Sequence, residues 1–114
     1  MAIIYHNPRC SKSRQTLELL KSRDIEPDVV LYLETPLSAE AIGDLLKKLG
    51  ISARELLRKG EQAYKDHSLA DQDLSEQQLI AAMVESPKLI ERPIVVNDDR
   101  ARIGRPPEQV LEIF

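Results

Sequence analysis

Two β-prone runs with a helical segment between them open the chain, and that order restricts its fold more than any other feature. Ala2–Tyr5 is short and β-prone, and Asn7-Pro8 reads as a turn. From Ser11 the pattern is helical, with Leu17 and Leu20 on one face, Thr16 and Leu19 alongside, and an end near Arg23-Asp24. Val29-Val30-Leu31-Tyr32-Leu33 then reads as a buried parallel strand. Parallel neighbours need a crossover, so the segment is a βαβ unit with an expected right-handed connection.

The middle of the chain turns helical. Ser38 opens a segment with Ile42, Leu45, Leu46 and Leu49 at helical spacing, stopped by Gly50. Ser52 with Glu55, and Ser75 with Gln78, have the spacing of capping boxes ahead of further helices. Lys59 to Asp73 between them is polar, with room for one short helix. The last third returns to strand: Pro93-Ile94-Val95-Val96, a turn at Asn97-Asp98-Asp99, and Ala101-Arg102-Ile103 as partner. Pro106-Pro107 can start a terminal helix through Val110, Leu111 and Ile113. The order β-α-β, helices, β-β-α predicts an α/β fold with a mixed four-stranded sheet and an inserted helical segment.

At 114 residues a single domain is expected. A net charge of -3 weighs against a nucleic-acid partner, and no apolar run approaches the ~20 residues that span a membrane. The N-terminus lacks the long apolar segment of a secretory signal. No apolar helix is left over for an obligate interface, so a monomer is expected. One cysteine cannot form an internal disulfide, which fits a cytoplasmic setting.

That cysteine, Cys10, lies between the first strand and the helix, in Tyr5-His6-Asn7-Pro8-Arg9-Cys10-Ser11-Lys12-Ser13-Arg14. Free cysteines are commonly inert and buried, but Arg9, Lys12 and Arg14 resist burial and Asn7-Pro8 makes a surface turn. Unpaired N–H groups of the first helical turn favour an anionic sulfur. Ser13 can return its hydroxyl toward a thiolate, and Arg14, one turn on, can neutralise the thiolate or a bound oxyanion. His6 is either a nearby base or donor, or a structural residue. Ser13 stands where a dithiol oxidoreductase has its second cysteine, so self-contained disulfide exchange is excluded. There is no GxxxxGK run, no HExxH and no four-cysteine metal site, and no metal is expected.

Three arginines stand apart from solvated surface charge. Arg58 follows Leu56-Leu57, Arg92 precedes Pro93, and Arg105 lies between Gly104 and Pro106-Pro107. Arg92-Pro93 is a candidate for the cis geometry found in tight turns. Gly104 is expected to let a substrate approach the main chain beside Arg105.

Five blocks in order carry a family resemblance: Ile4 to Cys10 with Ser13-Arg14, Leu31-Tyr32-Leu33-Glu34, Leu56-Leu57-Arg58-Lys59, Arg92-Pro93-Ile94-Val95-Val96, and Arg105-Pro106. Through them the chain resembles glutaredoxin-coupled arsenate reductases of the ArsC family. The resemblance implies a thioredoxin-like fold with a core at about 1-35 and 90-114 and a helical insertion at about 36-89. It implies that Cys10 attacks arsenate, that Arg58, Arg92 and Arg105 bind the oxyanion, and that Ser13 and His6 support the thiolate. It implies no bound cofactor, glutathione as co-substrate and glutaredoxin as partner. Arg9, Ser11 and Lys12 stand where better-known members have small residues.

Two other functions fit parts of this pattern. A small thiol transferase acting on mixed disulfides would need Cys10 but tolerate loss of Arg92 or Arg105. A redox-responsive transcription regulator of the Spx type shares the fold, but typically carries a Cys-x-x-Cys switch that is absent here.

Overall fold

The computed structural model describes residues 2–114. The chain divides into two compact units, Met1–Thr35 with Arg92–Phe114, and Pro36–Glu91.

The first unit is built on a sheet of β1 (Ala2–Tyr5), β2 (Asp28–Val30), β3 (Ile94–Asn97) and β4 (Arg100–Ile103), in the order β2-β1-β3-β4. β1 and β2 are parallel, joined through α1 (Ser11–Ser22), and β1 pairs antiparallel with β3 in a register that sets Ile4 against Val95. β3 and β4 form a hairpin whose turn includes Asp98 at φ 56, a left-handed position that aspartate tolerates better than most residues. Ile4 and Val95 meet Leu20 of α1 and Val110 and Ile113 of a terminal 3₁₀ helix (Pro107–Ile113) in one cluster, with Leu17 and Ile25 against it. Removing each such side chain from water contributes roughly 1.5–3 kcal/mol, enough to hold both helical segments onto the sheet. Asn97 Nδ2 and Arg100 Nη2 both donate to the Ile113 carbonyl, which ties the end of the chain to the hairpin.

The second strand differs from the expectation. It is three residues long, lies at the sheet edge, and leaves Val29 46% exposed. Leu31 onward leaves the sheet in a turn, with the Glu34 and Thr35 N–H groups donating to the Leu31 carbonyl, while Tyr32 is buried. An apolar run marks burial of some of its residues, but which of them extend as strand depends on how many neighbours the sheet supplies.

The second unit contains α2 (Ala39–Leu49), α3 (Ala53–Leu56), α4 (Gln62–Asp66) and α5 (Glu76–Glu85). Ser38 Oγ accepts from the Ala41 N–H at the start of α2, and Gly50 at φ 71 ends it. Both capping boxes form, Ser52 with Glu55 and Ser75 with Gln78. α2 and α3 pack against α5 through buried Ile42, Leu45, Leu46, Ala53, Leu56, Leu79, Ala82 and Met83. Glu76 reaches across to accept from the Ala53 N–H at 2.8 Å, a carboxylate satisfying a helix-start donor.

Candidate active site

The chain leaves β1 through a turn that the Asn7 side chain organises: its Oδ1 accepts from the Arg9 N–H at 3.0 Å, and its carbonyl accepts from the Cys10 N–H at 3.0 Å. Cys10 is then the N-cap of α1, extended at φ -94 and ψ 122, with its carbonyl accepting the first helical bond from Arg14. The first turn of α1 contains no acidic residue, so its positive end is left for the cysteine.

Partial burial of the sulfur raises the Cys10 pKa, but the other influences outweigh it. Backbone N–H groups of Ser13 and Lys12 and the Arg92 guanidinium favour the thiolate, and the net value lies below that of an ordinary thiol. Arg105 supplies a further contact, its Nη2 donating to Cys10 Sγ at 3.4 Å across 95 residues of sequence. The same guanidinium donates from Nε to the Arg92 carbonyl at 2.8 Å, so the two arginine segments are stitched together. Both Arg92-Pro93 and Arg105-Pro106 are cis. The first was a candidate on sequence; the second is new.

The hydroxyl of Ser13 and the guanidinium of Arg14 turn to partners other than the sulfur, and His6 takes the structural one of its two expected places. Ser13 is fully buried, and its hydroxyl lies 2.6 Å from His6 Nδ1 and accepts from the Asn7 N–H at 3.0 Å. Ser13 thus favours the thiolate through its backbone N–H, while its hydroxyl braces the turn. Arg14 donates from Nη1 to the Pro8 carbonyl at 2.8 Å, bracing that turn from outside. His6 is buried, and its pKa is lowered first by burial and then by the Lys21 and Arg14 charges, so it is neutral at pH 7. The spacing of these residues placed them within one turn of the sulfur but could not say which atom each would turn toward.

Gly104 corrects a second expectation. It is buried against Thr16 and Pro93, so the space beside its main chain is filled by protein and offers no approach for a substrate. Arg58 lies in the second unit, where Nη1 meets Glu91 Oε1 at 2.6 Å and Nε lies 3.5 Å from Glu61 Oε2. Neither carboxylate stood out in the sequence, since exposed and ion-paired glutamates have the same spacing. Asn7, Thr16 and Gly104 were noted there as a turn, a helix-face residue and a flexible point, without the contacts that make them part of this site.

A cysteine at a helix start, its thiolate favoured by Arg92 and contacted by Arg105, sits on a thioredoxin-like α/β fold in a chain with one cysteine. Residues 5–113 match the model of the ArsC family, and the chain belongs to that family. It is 68% identical over 111 residues to the uncharacterized protein YfgD of Escherichia coli strain K12, covering 96% of this chain and 93% of that one. It is 51% identical over 113 residues to an arsenate reductase of Haemophilus influenzae, covering 98% and 97% of the two chains. The solved structure of an arsenate reductase from Vibrio cholerae matches with a TM-score of 0.97 at 54% identity, over 99% of this chain and 97% of that one.

Proposed function

We propose that this protein reduces arsenate to arsenite, with Cys10 as nucleophile, glutathione as co-substrate and glutaredoxin as the protein that regenerates it. The observation that carries the reading is the 3.4 Å contact between Arg105 Nη2 and Cys10 Sγ, which pairs a thiolate with a cation that can also hold an oxyanion. Arsenate and a thiolate repel each other, and Arg92 and Arg105 offset that repulsion at the reacting atoms.

Cys10 Sγ attacks arsenic, the S–As bond forms, and one arsenate oxygen leaves as water after taking up protons. A glutathione thiolate then attacks Cys10 Sγ. The new S–S bond forms as the S–As bond breaks, and the electron pair stays on arsenic, which becomes arsenite. A glutaredoxin thiolate attacks the glutathione sulfur and returns Cys10 as a thiolate. The protein has one cysteine, so both reducing thiols come from outside, as a reducing compartment such as the cytoplasm supplies. The named arsenate reductases at 51% and 47% identity support the choice of substrate.

Arsenite formation from arsenate, with glutathione, glutaredoxin and its reductase present, tests the reading. Cys10→Ser is expected to abolish turnover, and Arg92→Ala or Arg105→Ala to reduce it by about 10²-fold, the loss seen when one oxyanion donor is removed. Turnover that survives both arginine changes, or a folded wild type with a reactive Cys10 and no arsenite, would sink it in favour of a small thiol transferase.

A further inference from the structure

We propose that Thr16 and Gly104 form the packing contact that registers the Cys10 end of α1 against the segment carrying Arg105, Thr16 acting as a positioning residue and Gly104 as the gap it requires. An ideal Cβ built on Gly104 would lie 2.5 Å from Thr16 Oγ1, 3.2 Å from Thr16 Cγ2 and 2.9 Å from Pro93 Cγ. Comfortable heavy-atom contacts need roughly 3.5–4.0 Å, so no side chain fits without a shift. Gly104 does not adopt a positive φ, so the glycine is there for space and not for backbone conformation.

Neither neighbour can swing aside. Thr16 is fully buried, β-branched on a helix, and its Oγ1 donates to the Lys12 carbonyl at 2.8 Å. Pro93 is a buried ring. The burden of any added atom therefore falls on the segment at Gly104. That segment is tied to the site in consecutive residues: the Gly104 N–H donates to the Pro93 carbonyl at 2.9 Å, and Arg105 bonds the Arg92 carbonyl and the Cys10 sulfur. Thr16 meanwhile grips the Lys12 carbonyl, one residue from the helix start whose N–H groups face the sulfur. A displacement of a few tenths of an ångström at Gly104 passes through one residue to a guanidinium that already lies 3.4 Å from Sγ.

The inference rests on Cys10 as the nucleophile and deepens that reading. Its test is the pH profile of Cys10 alkylation by iodoacetamide, which needs no arsenate, with circular dichroism to check folding. Gly104→Ala is expected to move the midpoint upward by about one pH unit, the size of a lost charge partner and in the direction of Arg105→Ala. Thr16→Ser, which keeps Oγ1, should retain the wild-type midpoint. Gly104→Ala combined with Thr16→Ala removes two of the three close atoms and leaves Pro93 Cγ at 2.9 Å, so it should move the midpoint only part of the way back. If Gly104→Ala does not fold, the double variant carries the test and is expected to fold with a midpoint between those of wild type and Arg105→Ala. A folded Gly104→Ala protein with an unchanged midpoint, a double variant shifted as far as Gly104→Ala or Arg105→Ala, or a double variant that does not fold, would overturn the contact. Failure to form arsenite with these alkylation shifts intact would fault the substrate and leave the contact standing.

Discussion

Cys10 occupies the position where helices ordinarily place Ser, Thr, Asp or Asn; it forms no capping hydrogen bond, but the Lys12 and Ser13 N–H groups near it favour its thiolate. The helix-start part of this activation is local chemistry and can be read from strand, turn and helix alone; the Arg92 charge reaches the sulfur from far along the chain. The roles of its neighbours cannot be read that way, because His6, Ser13 and Asn7 satisfy one another before they reach the sulfur. His6 illustrates the consequence for pH. Its folded pKa lies below its ordinary value, so the native state binds fewer protons than the unfolded chain in the window between them. The associated stability is fully present above about pH 6.5, the unfolded histidine value, and is lost as pH falls toward the lowered folded value. The denaturant midpoint is therefore expected to drop as pH falls below about 6.5, and His6→Asn should flatten that slope. An equal slope in wild type and variant would show that other groups carry it.

At the scale of elements, the helices of the second unit followed their local signals closely. Ser38, Ser52 and Ser75 cap where their spacing placed them, and Gly50 ends α2 in the left-handed conformation that disfavours other residues. Capping is short-range and needs no tertiary partner, so it can be read from a handful of residues. Ser75→Ala is expected to destabilise the protein by about 1 kcal/mol, measured by urea unfolding, because it strands the Gln78 N–H at the start of α5. A change near zero would mean that water replaces the cap fully. β2 shows the opposite case. Its composition suited a buried strand, yet its extent was set by an edge position that only the pairing of β1 with β3 leaves to it.

At the scale of the whole molecule, the sheet brings the two ends of the chain together around one cluster. Leu20 links that cluster to the helix that presents Cys10. Leu20→Ala should cost about 2–5 kcal/mol in chemical unfolding, since it empties a fully buried site between α1 and the sheet. A loss below about 1 kcal/mol would mean that the cluster collapses around the gap. By itself the sequence determined the order of elements, the helix caps and the place of the one cysteine at a helix start, since each depends on interactions a few residues long. Family resemblance added Arg58, Arg92 and Arg105 as expectations, of which Arg92 and Arg105 lie beside Cys10. Only the tertiary structure decided that β2 is a short edge strand, that Ser13 turns its hydroxyl to His6, and that Thr16 closes on Gly104 while Arg105 reaches Cys10. Apart from the Ser13–His6 pair, which lies within one turn-and-helix segment, these are contacts between segments far apart in the chain, whose geometry is set by register and close packing and leaves no periodic mark in the residues that make it.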